Sequence, residues 1–181
     1  MSIDRRNDPG DAVPAKAAIL GHPVHPVLVG FPIAFLSAVI VTDVLAIIRD
    51  STFLADASRW LLAAGIVTGA VAAIAGFVDG IALDSARRLA TTWWHAGGNA
   101  AALVVAGVNL LIRGDSPLGT ISPWGLVLSI VTGAVLGFTG WLGGELVYRY
   151  RIGVMARPPT SMPRTGQSVR GQERALGRDV G

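Results

Sequence analysis

Four long apolar runs alternate with short polar segments along this chain, at about 27–48, 60–78, 94–112 and 124–147. Each is close to or above the ~20 residues needed to cross a hydrocarbon core of ~30 Å. Only helices and closed barrels satisfy their own backbone in lipid, and runs of this length predict helices. Tryptophan stands at the start of three of them (Trp60, Trp93 with Trp94, Trp124), as in an interfacial aromatic belt.

The runs are also related to one another. Ile-Val-Thr-Gly-Ala-Val occupies 66–71 and again 130–135, and Trp60/Trp124, Leu62/Leu126, Gly76/Gly140 and Gly80/Gly144 match at the same spacing of sixty-four. Self-similarity at a fixed spacing predicts a repeated architecture. The expected fold is an all-α membrane protein: a four-helix transmembrane bundle of two parallel helical-hairpin repeats, related by a pseudo-twofold axis along the membrane normal. Gly65, Gly69, Gly76 and Gly80 on the second helix, and Gly133, Gly137, Gly140 and Gly144 on the fourth, form stripes of small residues. Such stripes let helix backbones approach closely in lipid. They predict tight packing inside the bundle, with a homodimer through one stripe as the competing use.

Composition sharpens this picture. Only 15% of the 181 residues are charged and 51% are hydrophobic, against about 25% charged in soluble domains. One transmembrane domain over 21–152 is expected, after a polar segment at 1–20 and before a tail at 153–181 rich in Pro, Gly, Ser and Arg that reads as disordered. No short apolar region with a small-residue cleavage site precedes the first helix, so no cleaved signal peptide is expected. Of fifteen Lys and Arg, twelve fall on the side carrying both ends of the chain. Arg49, Arg59 and Arg113 fall on the other. The positive-inside bias then puts both termini in the cytoplasm, with the basic tail solvated near the lipid head groups.

Cysteine is absent, which removes disulfides, thiolate metal sites and covalent c-type haem. There is no nucleophile elbow, phosphate loop or dinucleotide fingerprint, and no catalytic motif. The basic tail lacks interleaved aromatics, so nucleic acid is not expected. The candidate chemistry rests on three histidines. His22 and His25 lie in Gly21-His-Pro-Val-His-Pro26, and His95 opens the third helix within Trp-Trp-His-Ala-Gly-Gly-Asn99. Pro23 and Pro26 stiffen the backbone around the first two, and Pro26 suits a first helical turn. Aligning His25 with His95 keeps the first and third helices in step and sets the two imidazoles across the axis. Asp79, Asp84, Asn99 and Glu145 are expected toward the same end. Asp43 reads as an interfacial carboxylate paired with Arg49 or Arg59 and separate from this cluster. Pro32 is expected to kink the first helix or sit in its first turn.

Ionisable groups at membrane depth are usually functional, and facing histidines in a bundle suit haem or a transition metal. One ion shared by His25 and His95 requires nitrogens about 4 Å apart, twice a ~2 Å bond. The leading reading is a redox or electron-transfer module. His25 and His95 are axial ligands of b-type haem, His22 is an alternative ligand or outer partner, and Asp79 and Glu145 orient imidazoles or pass protons. Without haem, His25, His95, His22, Asp79 and Glu145 form the candidate metal set. The alternative is a non-catalytic scaffold or accessory subunit that binds lipid, a redox protein or a second copy through its glycines. A small transporter is disfavoured because no broken helix or midplane charge is evident.

The segment Gly-His-Pro-Val-His-Pro-Val-Leu-Val-Gly-Phe-Pro, the Trp-His of the third helix and the closing Gly-Gly-Glu-Leu-Val-Tyr-Arg together resemble the DUF2231 family of bacterial multi-pass membrane proteins, over roughly 18–155. The resemblance implies a bacterial inner-membrane location. Relatives joined to Rieske-type domains imply, by association, a role beside electron transfer. Many relatives read Tyr-Arg-His-Gly after the fourth helix, whereas Tyr150 and Arg151 take the last two places here, so a ligand at that histidine is lacking.

Overall fold

The computed structural model describes residues 13–20, 22–114, 119 and 121–154; the expected disordered tail lies almost wholly outside them, as does most of the polar N-terminal segment. A two-stranded hairpin, β1 (Ala18–Ile19) and β2 (His22–Pro23), leads into α1 (Val24–Leu28) and α2 (Gly30–Arg49). Then follow α3 (Thr52–Ala82), a short α4 (Asp84–Arg87), α5 (Ala90–Arg113), a π-helical turn (Ile121–Gly125) and α6 (Leu126–Tyr148). Four of these helical segments, Val24–Arg49, Thr52–Ala82, Ala90–Arg113 and Pro123–Tyr148, are long and apolar enough to span a bilayer. The outward surface is apolar, with Val41, Val67, Ile74, Val104, Leu111 and Trp141 all exposed. A surface of this kind belongs in lipid.

Local sequence explains the breaks. Pro32 is the third residue of α2, in its first turn, where a missing N–H costs little. α2 ends at Asp50, whose left-handed conformation (φ 47°) turns its N–H back to the carbonyls of Ala46 and Ile47. Asp tolerates that conformation better than most residues. Ser51 then caps α3 by accepting the Leu54 N–H, so α2 and α3 form a hairpin with a two-residue turn.

α2 packs on α3 and α6, and α5 packs on α3 and α6, which puts α2 and α5 on one diagonal of the bundle. Gly65 receives the Leu36 side chain, Gly69 that of Leu103 and Gly133 that of Ile40, so these glycines are used inside the bundle. Gly137 and Gly140 face open space. A chain of hydrogen bonds ties the two ends of the described chain together: Val13 N–H donates to Arg151 O, and Gly153 N–H to Val13 O, at 3.0 and 2.9 Å.

Near the opposite end the interior is charged. Asp43 of α2 and Arg113 of α5 are both fully buried and form a two-pronged ion pair, with Nη1 donating to Oδ1 at 2.9 Å and Nη2 to Oδ2 at 2.7 Å. This corrects the expected partners of Asp43: Arg49 and Arg59 lie at the ends of their apolar runs, exposed, while Arg113 reaches inward across the bundle. Ser58 of α3 donates to Asp43 Oδ1 and accepts from Arg113 Nη1 at 2.9 Å. Ser129 of α6 lies 2.6 Å from Asp43 Oδ2 and accepts from Arg113 Nη2 at 3.1 Å. Asn109 accepts from Arg113 Nε at 3.1 Å, and its amide donates to Ser129 Oγ and to the Gly125 carbonyl at the end of the π-helical turn. Each of the four membrane-spanning helices therefore supplies at least one member. Buried charges are tolerated when paired and fully hydrogen-bonded, and both ions meet that condition here.

Candidate functional site

At the end of the bundle where the described chain ends meet, His25 of α1 and His95 of α5 face each other with ring centres 6.2 Å apart and planes at 86°. The two histidines aligned in the sequence thus meet in one locus. Each imidazole is held by a backbone carbonyl of the helix beside it. His25 Nδ1 lies 2.8 Å from Ala72 O, and His95 Nδ1 lies 2.8 Å from Thr139 O. A carbonyl oxygen only accepts, so each Nδ1 carries a hydrogen, and Nε2 is the ring nitrogen left for another partner. A fixed Nδ1–H···O=C bond is also how ligating histidines are oriented in metal sites.

Glycine makes room for both rings. A methyl group on Gly76 would fall 2.7 Å from His25 Nδ1, and one on Gly143 would fall 2.9 Å from His95 Cε1. The carbonyl pair Ala72/Thr139 and the glycine pair Gly76/Gly143 are both spaced by sixty-seven, not sixty-four. The sequence repeat pairs Gly76 with Gly140, but the glycine under His95 is Gly143, nearly one turn further along α6. Gly140 meets nothing within 4 Å.

The two imidazoles differ in their surroundings. Asn99, one turn beyond His95, donates to the His95 carbonyl at 2.7 Å and accepts from Thr139 Oγ1 at 3.2 Å. Its amide nitrogen is 3.5 and 3.4 Å from His95 Nδ1 and Nε2. Near-equal distances to both ring nitrogens put it over the ring face, since the same position in the ring plane would collide with Cε1. His25 has Ala72 where His95 has Thr139, so no hydroxyl supports it from that position.

The other candidates sit elsewhere. His22 is exposed and its Nδ1 is 3.2 Å from Leu20 O within its own hairpin. Asp79 does not orient an imidazole: its Oδ1 accepts the backbone N–H groups of Lys16 and Ala17, both at 2.7 Å, and so ties the N-terminal segment to the end of α3. Glu145 pairs with Arg149 one turn on, at 2.8 Å, and Asp84 with Arg87 at 2.6 Å. Carboxylates at helix ends are taken up here by amides and guanidinium groups. Among the described residues no group of three or more His, Asp and Glu side chains forms a metal-binding cluster, so the five-residue metal set is not assembled.

Sequence reasoning did not find Ala72, Thr139 and Gly143, which act through backbone or absence of a side chain. It also passed over Ser58, Asn109, Arg113 and Ser129. One signal for the charged layer was present: Asp43 follows His25 by eighteen residues, and Arg113 follows His95 by eighteen.

No curated protein and no solved structure matches the chain. The family model described as a predicted membrane protein, DUF2231, matches residues 21–156. That span holds all four membrane-crossing helices and both facing histidines, and on it the chain belongs to the DUF2231 family of membrane proteins.

Proposed function

We propose that this integral membrane protein is a redox module in which His25 and His95 would hold one metal centre through Nε2, best met by b-type haem. The observation that carries this reading is the paired clamp: two imidazoles whose Nδ1–H groups are spent on carbonyls, with ring centres 6.2 Å apart. An ion bound in line between two imidazole nitrogens, at ~2.0–2.1 Å from each, sets the ring centres about 6.3 Å apart. Two imidazole donors suffice for haem, because the macrocycle supplies the other ligands of the iron. A bare transition-metal ion, held by His25 and His95, is the second form of the same site. Haem bound there would supply one-electron chemistry, while the carbonyls of Ala72 and Thr139 fix the rings. An inner-membrane location with cytoplasmic termini is supported by the twelve basic residues on the side of the chain ends.

The test is an absorption spectrum and metal analysis of protein purified from cells supplied with haem precursor. The expected result is a Soret band at one haem per chain that is lost in His25→Ala and in His95→Ala and kept in His22→Ala. Colourless, metal-free protein that takes up neither haem nor metal would refute it. The scaffold reading has one specific support, the unfilled surface at Gly137 and Gly140 on α6. A dimer dispersed by Gly137→Leu is its expected signature.

A further inference from the structure

We propose that Asp43 and Arg113 are positioning residues for the imidazole pair at the opposite end of the bundle, and that their ion pair sets how far apart His25 and His95 stand. Asp43 and His25 lie on one helical segment, as do Arg113 and His95, and each pair is separated by eighteen residues. Eighteen residues are five turns at 3.6 residues per turn, so the two side chains of each pair share a helix face, and ~1.5 Å per residue sets them about 27 Å apart. The bundle thus has two arms of equal length, joined by a charge pair at one end and presenting an imidazole pair at the other.

α2 and α5 stand on a diagonal and pack mainly on α3 and α6, not on each other. Relative sliding of diagonal helices is resisted directly only where side chains cross the centre. The ion pair is such a crossing, and its geometry is demanding. The guanidinium donates to both carboxylate oxygens of Asp43, and to Ser58, Ser129 and Asn109 as well. A planar fork held in five directions resists displacement by one residue's rise, ~1.5 Å, without losing its paired bonds. A shift of that size carried along α5, or along α2 through the helical Val29 into α1, would move one imidazole past the other by a comparable distance. The carbonyls of Ala72 and Thr139 fix each ring to its own neighbour helix, but neither one joins α2 to α5.

The chain contains no cysteine, so the pair can be replaced by a reporter that needs no metal. In a His25→Cys/His95→Cys background, bridging by a short bis-methanethiosulfonate is followed by intact mass, which separates one bridge from two single adducts. Asp43→Asn and Arg113→Lys are each expected to lower the bridging rate about 10-fold. The charge-swapped Asp43→Arg/Arg113→Asp is expected to recover most of it, and exposed Arg59→Gln to leave it within twofold. Unchanged bridging in folded Arg113→Lys overturns the proposal, as does a swap that folds yet recovers nothing. If Asp43→Asn does not fold, Arg113→Lys and the swap still decide. Because the readout involves no haem or metal, failure of the cofactor reading leaves this result standing.

Discussion

Asp43→Asn is the substitution on which the energetics of the buried layer turn. The carboxylate receives two guanidinium donors at 2.9 and 2.7 Å and the hydroxyls of Ser58 and Ser129. The isosteric amide keeps the volume but presents an N–H₂ where one oxygen stood, so either Arg113 Nη1 with Ser58 or Arg113 Nη2 with Ser129 then meets a donor. It also removes the buried carboxylate that faces the fully buried Arg113 guanidinium. Breaking a buried pair in this way costs about 3–5 kcal/mol. Ser129→Ala removes one neutral member bonded to charged ones and is expected to cost about 1.5–3 kcal/mol. Replacing both ions by apolar residues of similar size, Asp43→Leu with Arg113→Met, removes the desolvation cost together with the attraction, and its stability should equal that of the wild type or exceed it by about 1–4 kcal/mol. Reversible unfolding in mixed detergent and SDS micelles, followed by helical circular dichroism, measures all four proteins. The ordering matters more than the magnitudes, with the double variant above Asp43→Asn. A cost below about 1 kcal/mol for Asp43→Asn would show that water or a counter-ion reaches the carboxylate. A double variant no better than the single would show that packing, not stranded charge, sets the cost.

The imidazole site gives further expectations. Gly76→Ala and Gly143→Ala each drive a methyl into a ring, so histidine-selective ¹⁵N NMR should lose the sheltered Nδ1–H signal of His25 in the first and of His95 in the second; two unaltered signals would contradict the packing. If the pair ligates haem, the same variants should weaken its uptake roughly 10–100-fold, the usual effect of disturbing a ligand's support. Asn99→Ala should move the His95 resonances and leave those of His25 in place, since the amide lies over only one ring. Asp79→Ala should speed hydrogen exchange at the Lys16 and Ala17 amides about 10-fold, as expected for a bond worth ~1.5 kcal/mol, with no effect on the rings.

The four membrane-crossing helices and the meeting of His25 with His95 were legible in the chain because hydrophobic run length and motif placement carry both. The charged layer was not. Asp43 and Arg113 lie close to the ends of apolar runs, where a charge ordinarily reaches water, and the number of residues to a helix end does not say whether a side chain turns outward or toward the axis. Asn109 and Ser129 give no sign of their role until the helices are placed. The offset of sixty-four was misleading at the site itself. It correctly pairs Gly69 with Gly133 as packing glycines, yet the residues under the rings follow the contacts of α6 with α5 and fall at sixty-seven. The carboxylates Asp79 and Glu145 read as partners of the rings because their helix ends lie toward the same end of the bundle, while backbone amides and an arginine one turn away hold them instead.

The split of the ion pair between halves of the polypeptide has a consequence for biogenesis. Translation delivers Asp43 with the first pair of helices, long before Arg113 emerges, so the early hairpin waits in lipid with an acid sheltered only by Ser58. The salt bridge between Asp43 and Arg113 forms only once both halves are present, so the late arrival of the third helix becomes the event that completes the buried layer.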